Sequence, residues 1–338
     1  MSHISHYYFY LLRATVWLFR AFGGAARHFR ARVLRSLALP EGLALAPSEL
    51  HRLKHYFYGA TYLAALMCSL RNRPRSKAEK HLFDNLSALA CFFDDLVDAN
   101  PRRFSSTSER ARLTDVEAYG LATDKRGLAL HLLHNIYRAL PERDLRRFRE
   151  FMHRVFEAET AGRQDVGESG TGNRDIAALQ KITAEKGGCS VLLFRSVLSH
   201  ALSQAEEQAL FEFGCLIQLC DDIFDLWHDR QAGIVTLATL LAERSEVGFL
   251  NQLFEQQVAA THEAFRRTAY PAAQIETALS TLCFLTSITR VCLRHYQNLE
   301  KKHGALPFAR RAAVVVDMDI WANRLWAAGY LLRPEVIA

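Results

Sequence analysis

The chain reads as an all-α protein: apolar residues recur at helical spacing along most of its length, strand-like alternation is scarce, and no linker-like break divides it. With 338 residues and 50% hydrophobic content it can bury a large core. The expectation is a single large helical domain spanning 46–338, preceded by a basic helical arm over 1–45. Helices are predicted at 47–70, 77–99, 125–140, 142–161, 175–202, 204–228, 236–268, 272–302 and 308–331. The stretches 102–110 and 163–174, rich in Ser, Gly and charge, are predicted loops.

Charge separates the arm from the body. The first forty residues hold Arg13, Arg20, Arg27, Arg30, Arg32 and Arg35 with no Asp or Glu, against a whole-chain formal charge of +6. The rest is therefore near neutral, which argues against nucleic acid as a partner and leaves a membrane surface, an anionic partner or a solvated face for the arm. Arg13 and Arg20 interrupt the apolar run 7–22, so it falls short of the roughly 18 residues of a membrane span. It is read as a helix packed on the body, with an interfacial amphipathic helix as the alternative. The segment lacks a secretory signal pattern, and the expected location is cytoplasmic, with peripheral membrane contact left open.

The seven cysteines, at 68, 91, 189, 215, 220, 283 and 292, form no CxxC pair. They read as small buried hydrophobes in a reducing compartment.

Two acidic motifs carry the chemistry. The first, Phe92-Phe93-Asp94-Asp95-Leu96-Val97-Asp98, ends a helix whose earlier residues Leu82, Leu86, Leu89 and Ala90 are apolar. Asp94 and Asp98 are four apart and share a helix face, with Asp95 alongside. Three crowded carboxylates oppose folding stability but suit Mg²⁺, a hard cation that takes a few carboxylate oxygens together with water and substrate phosphates. The second motif, Gln218-Leu219-Cys220-Asp221-Asp222-Ile223-Phe224-Asp225, continues to Asp229 after the apolar run 211–219. Asp221, Asp225 and Asp229 fall at i, i+4 and i+8. Either motif alone could be a solvated acidic helix end; two of them, each emerging from an apolar helix, point to bound metal.

The pair resembles the class I isoprenoid synthase superfamily. Gln218, Asp221, Asp222, Asp225 and Gly233 match the trans-prenyltransferase pattern Gln-x-x-Asp-Asp-x-x-Asp followed by glycine. Lys186-Gly187-Gly188, with Arg195 beyond it, looks like that family's helix break, where a lysine reaches the diphosphate, and Arg102-Arg103 resembles its arginine pair. The likeness covers roughly 50–235. It implies the isoprenoid synthase bundle, Mg²⁺ held by Asp94, Asp95, Asp98, Asp221, Asp222 and Asp225 (three ions once substrate is bound), and a prenyl diphosphate contacted by Lys186, Arg195, Arg102, Arg103, Gln218, Phe93 and Asp229. A homodimer is compatible with it.

Departures from the pattern choose among activities. The glycine-rich segment that holds isopentenyl diphosphate survives only as His51-Arg52-Leu53-Lys54, and Phe93 replaces the usual His, which is closer to terpene cyclases. The expected activity is therefore that of a terpene synthase, a lyase that ionises one prenyl diphosphate. The alternatives are a chain-elongating or head-to-head prenyltransferase and a non-catalytic prenyl-diphosphate-binding subunit. Ionisation needs neutralisation of the leaving diphosphate. The allylic cation left behind needs a dry, apolar cavity; Phe92, Phe93, Phe194 and Phe224 lie beside the charged motifs, as cation-stabilising rings or as ordinary core.

Overall fold

The computed structural model describes residues 3–33, 44–99, 125–164 and 175–333. Every regular element among them is helical, so the protein is all-α. The predicted loop 102–110 lies outside the described residues, as does 165–174 of the second predicted loop.

In chain order the helices are α1 (His3–Phe22), α2 (Ala25–His28, followed by a π turn at Phe29–Val33), α3 (Pro47–Leu70), α4 (Lys77–Ala99), α5 (Lys125–Ala139), α6 (Glu142–Gln164) and α7 (Ile176–Ser196). There follow α8 (Gln204–Phe224), α9 (Leu226–Ala232), α10 (Leu237–Glu243), α11 (Val247–Arg266), α12 (Ala272–His303), α13 (Arg311–Val314) and α14 (Trp321–Leu331).

Three predicted helices are interrupted. The stretch 204–228 bends at Asp225, which closes α8 and opens α9. The stretch 236–268 divides at Ser245, whose φ of 58° ends α10, and the amide of Glu246 returns to the Leu241 carbonyl at 2.8 Å. The sequence Glu243-Arg244-Ser245-Glu246 offers no apolar side chain to keep the helix against a core. The stretch 308–331 is mostly loop up to Ile320, so only α13 and α14 are helical there. Pro47, pre-set for the first helical turn, and the Glu49 carboxylate, which accepts from the Ala46 amide at 2.7 Å, fix the start of α3.

The helices gather into two compact units. One comprises 15–160 and 192–201; the other comprises 1–14, 161–191 and 202–338. In the first, α4 packs on α3 and α5, burying Phe83, Leu86, Leu89 and Phe92 among Leu63, Leu66 and Leu132. Each such side chain contributes on the order of 1.5–3 kcal/mol. Glu79, at the start of α4, accepts from Arg71 at 2.7 and 2.9 Å, from the Ser76 amide at 2.7 Å and from the Ser199 amide at 3.0 Å. It thereby joins the α3–α4 turn to the segment after α7.

In the second unit α8 packs on α11 and α12, and α12 packs on α14. Phe213, Leu216, Leu219, Phe254, Leu279, Leu282 and Leu293 are buried. Among the described residues one helix, Ala272–His303, is long and apolar enough to cross a membrane, and 78% of its apolar window is buried within the protein. All seven cysteines are free and buried, as expected of small hydrophobes, and burial pushes the thiols of Cys220, Cys283 and Cys292 up to about 12.

The arm is partly packed. Tyr10, Leu11 and Ala14 of α1 are buried, and the Tyr8 hydroxyl donates to the Leu332 carbonyl at 3.0 Å. Its other side leaves Phe9, Leu12, Val16 and Phe19 exposed.

Candidate functional site

The second acidic motif is built where α7 meets α8, and glycine decides how closely they meet. A Cβ on Gly187 would stand 2.1 Å from the Gly214 carbonyl oxygen, and one on Gly188 would stand 2.4 Å from the Phe211 ring. The sequence likeness to a helix break at Lys186-Gly187-Gly188 is thus corrected: α7 runs unbroken through these residues, and the missing side chains serve backbone contact instead.

That contact brings Thr183 and Lys186 to the motif. Asp222, buried, accepts from Gln218 Nε2 at 2.8 Å and from the Thr183 hydroxyl at 3.2 Å, so both its oxygens are held. Gln218 also reaches Asp221 at 3.5 Å. The Tyr296 hydroxyl of α12 donates to the Ile223 carbonyl at 3.1 Å and anchors the helix end from behind. The bend at Asp225 preserves the turn spacing, since the Asp225 amide bonds the Asp221 carbonyl at 2.9 Å and the Asp229 amide bonds that of Asp225 at 2.8 Å. Gly233, at φ 70°, closes α9 in the left-handed region that favours glycine.

The result is a concentration of negative charge with Lys186 as a near cation. Burial first, then the charges of Asp222, Asp225 and Asp221, push the Asp229 carboxyl up to about 7, while Lys186 pulls the other way. Thr183 was not anticipated from sequence; a lone threonine one turn before Lys186 carries no signal until α8 is packed beside it.

The first motif ends α4 in the other unit. Phe92 is buried, and Phe93, partly exposed, meets Phe156 edge-on at 5.2 Å between ring centres. Asp94 is half-buried and accepts a short hydrogen bond from the Tyr56 hydroxyl of α3. Burial, then the charge of Asp94 and the hydrogen bond to it, push the Tyr56 phenol above its ordinary range, with Arg52 opposing. Arg52 and Tyr56 are one turn apart on α3, which sets the degenerate segment 51–54 beside the first motif. The side chains of Asp95 and Asp98, and the whole of Arg102 and Arg103, lie outside the described residues.

Arg195, expected at the diphosphate, is placed differently. It is 1% exposed, and its Nη2 donates to the carbonyls of His200 and Ala201 at 3.2 and 3.1 Å. This satisfies carbonyls just beyond the end of α7, a structural task, because a guanidinium has enough donors for several of them.

Among the described residues, no group of three or more His, Cys, Asp or Glu side chains is gathered as a metal-ligand set. The donor chemistry of the second motif nonetheless fits Mg²⁺, which is commonly held by one or two carboxylates and completed by water and substrate phosphate. No protein-family model matches the chain, and neither the curated proteins nor the solved structures hold a match to it.

Proposed function

We propose that the protein is a Mg²⁺-dependent class I isoprenoid synthase, built as a helical bundle around a central cavity, that ionises a geranyl, farnesyl or geranylgeranyl diphosphate, releases pyrophosphate and forms a terpene. The observation that carries this reading is the run Asp221, Asp222, Asp225 and Asp229 at the junction of α8 and α9, with Lys186 beside it. Four carboxylates held in such proximity oppose folding unless a cation or a proton relieves them.

Bound Mg²⁺ would neutralise the departing diphosphate. Asp221 and Asp225, exposed on successive turns, would hold it, with Asp94, Asp95 and Asp98 of the first motif as the second set of ligands. Asp222 is already fixed by Gln218 and Thr183 and orients the motif. Lys186 supplies fixed positive charge toward the phosphate, and Arg102 and Arg103 keep that role on sequence likeness alone. The reading requires both motifs to act on one diphosphate.

The test is incubation of the full chain with Mg²⁺ and each diphosphate in turn, following pyrophosphate release and analysing products by mass spectrometry. A hydrocarbon or alcohol from one substrate alone is expected. No pyrophosphate from any of them, with or without isopentenyl diphosphate, overturns the assignment.

A second reading, a prenyltransferase, is favoured by one observation: Arg52 stands near the Tyr56–Asp94 pair, where a second diphosphate would need a cation. Pyrophosphate appearing only when isopentenyl diphosphate is added, with longer prenyl diphosphates as product, selects it. A product of two joined chains selects head-to-head condensation. Peripheral membrane attachment through the exposed Phe9, Leu12, Val16 and Phe19 of α1, flanked by Arg13 and Arg20, belongs to the same proposal. Replacing Leu12 and Phe19 by Ser would weaken salt-sensitive vesicle binding without unfolding the chain.

A further inference from the structure

Away from the aspartate motifs, the second unit holds a cavity of about 410 Å³ lined from α11, α12 and the end of α14. Its charged lining is Arg290, Arg294 and Arg333 against Glu255, so three positive charges face one negative charge. Arg290, Arg294 and Gln297 fall at i, i+4 and i+7 and share one face of α12. Tyr296, which reaches the second motif, lies on another.

Arg290 is already committed. Its Nε and Nη2 donate to the two Glu255 oxygens at 2.8 and 2.7 Å, and its Nη1 donates to the Thr286 hydroxyl at 3.2 Å. That pair is close to neutral and forms one wall. Arg294 and Arg333 pair with no carboxylate among the described residues. The Arg294 guanidinium carbon lies 3.3 Å from the centre of the Trp326 ring, a stacking that occupies the face of the guanidinium and leaves its in-plane N–H donors available. Tyr330 stands within 5.9 Å of the Arg333 guanidinium.

We propose that this cavity binds a phosphate-bearing ligand, gripped by Arg294 and Arg333 and steadied by Gln297 and Tyr330. Two guanidinium groups that no carboxylate among the described residues compensates match a phosphate or diphosphate in charge, and their planar forks match its oxygens in geometry. The volume exceeds that of a phosphate alone and admits a larger phosphate-bearing molecule, and the exposed Trp326 ring beside Arg294 offers it apolar surface. A soluble phosphate ester and an anionic lipid headgroup share this chemistry. The site stands independently of the function proposed for the aspartates.

All measurements are made on the full chain in EDTA, which removes any metal-dependent binding at those aspartates. Sodium pyrophosphate is titrated by calorimetry, and vesicles of phosphatidylcholine with and without phosphatidic acid are tested by flotation with Leu12→Ser and Phe19→Ser in place, so that the exposed face of α1 does not contribute. Binding of pyrophosphate, of the phosphatidic acid vesicles, or of both is expected, and the pattern identifies a soluble or a lipid source. Arg294→Gln and Arg333→Gln should each weaken the interaction about tenfold or more, as loss of a charge-assisted pairing implies. Thermal melting verifies folding, and Arg333→Gln, at an exposed position, serves if the other variant is unstable. Failure of the chain with both arginines to bind either probe, or undiminished binding by the folded arginine variants, overturns the proposal.

Discussion

Gly187 and Gly214 touch backbone to backbone: a Cβ on either would come within 2.2 Å of the other's carbonyl oxygen. Because backbone cannot yield as a flexible side chain can, Gly187→Ala should force α7 from α8 and cost at least about 1–3 kcal/mol, the usual scale of overpacking. Thermal unfolding measures it. The same shift would separate Thr183 from Asp222, so diphosphate binding should fall in whatever protein still folds. An alanine variant as stable as wild type would mean that the helices are not held this close.

Asp221→Asn and Asp225→Asn remove charge and keep shape at exposed positions. Each should abolish Mg²⁺-dependent binding of a non-reactive prenyl diphosphate analogue while leaving the melting temperature equal or raised, through relief of like-charge repulsion. Calorimetry with Mg²⁺ and then with EDTA reads the difference. Equal binding in EDTA would show that no metal bridges protein and ligand. If both motifs grip one diphosphate, pairing Asp94→Asn with Asp225→Asn should lose less than the sum of the single losses.

Tyr56→Phe deletes the hydroxyl that donates to Asp94. A hydrogen bond to a charged group contributes about 1.5–3 kcal/mol, so the variant should be less stable by roughly that amount. If Asp94 is a metal ligand, the variant should also need a different Mg²⁺ concentration for half-maximal turnover. A changed melting temperature with an unaltered Mg²⁺ requirement would confine Tyr56 to a structural task.

Glu79 sets an acid limit on the first unit. Burial alone would raise its carboxyl, but hydrogen bonds from Arg71, Ser199 and Ser76 override that and hold it well below its ordinary 4.5. A depressed folded value means that the stabilisation is fully present above pH 4.5 and is lost progressively as pH falls below it. Glu79→Ala should cost about 3–5 kcal/mol at neutral pH by leaving the buried Arg71 unpaired. Denaturant titrations from pH 7 down to strongly acid conditions should show wild type and variant converging, and a constant gap would rule out the carboxylate as the cause.

What the sequence by itself determined is whatever depends on local spacing. The helical periodicity specified an all-α chain, and Pro47 and the apolar runs set α3 and α4 at their observed limits. The i, i+4, i+8 aspartates stayed in register even across the bend at Asp225, because the turn-to-turn hydrogen bonds continue through it. Local spacing does not say which turn meets which. Only tertiary packing set Thr183 against Asp222 and Tyr56 against Asp94, 39 and 38 residues apart. It also buried Arg195 among carbonyls, although the same residue in sequence looks like a free cation. Gly187 and Gly188 show the reason most plainly: a missing side chain can end a helix or admit a neighbour, and the choice rests on whether another backbone arrives to fill the space.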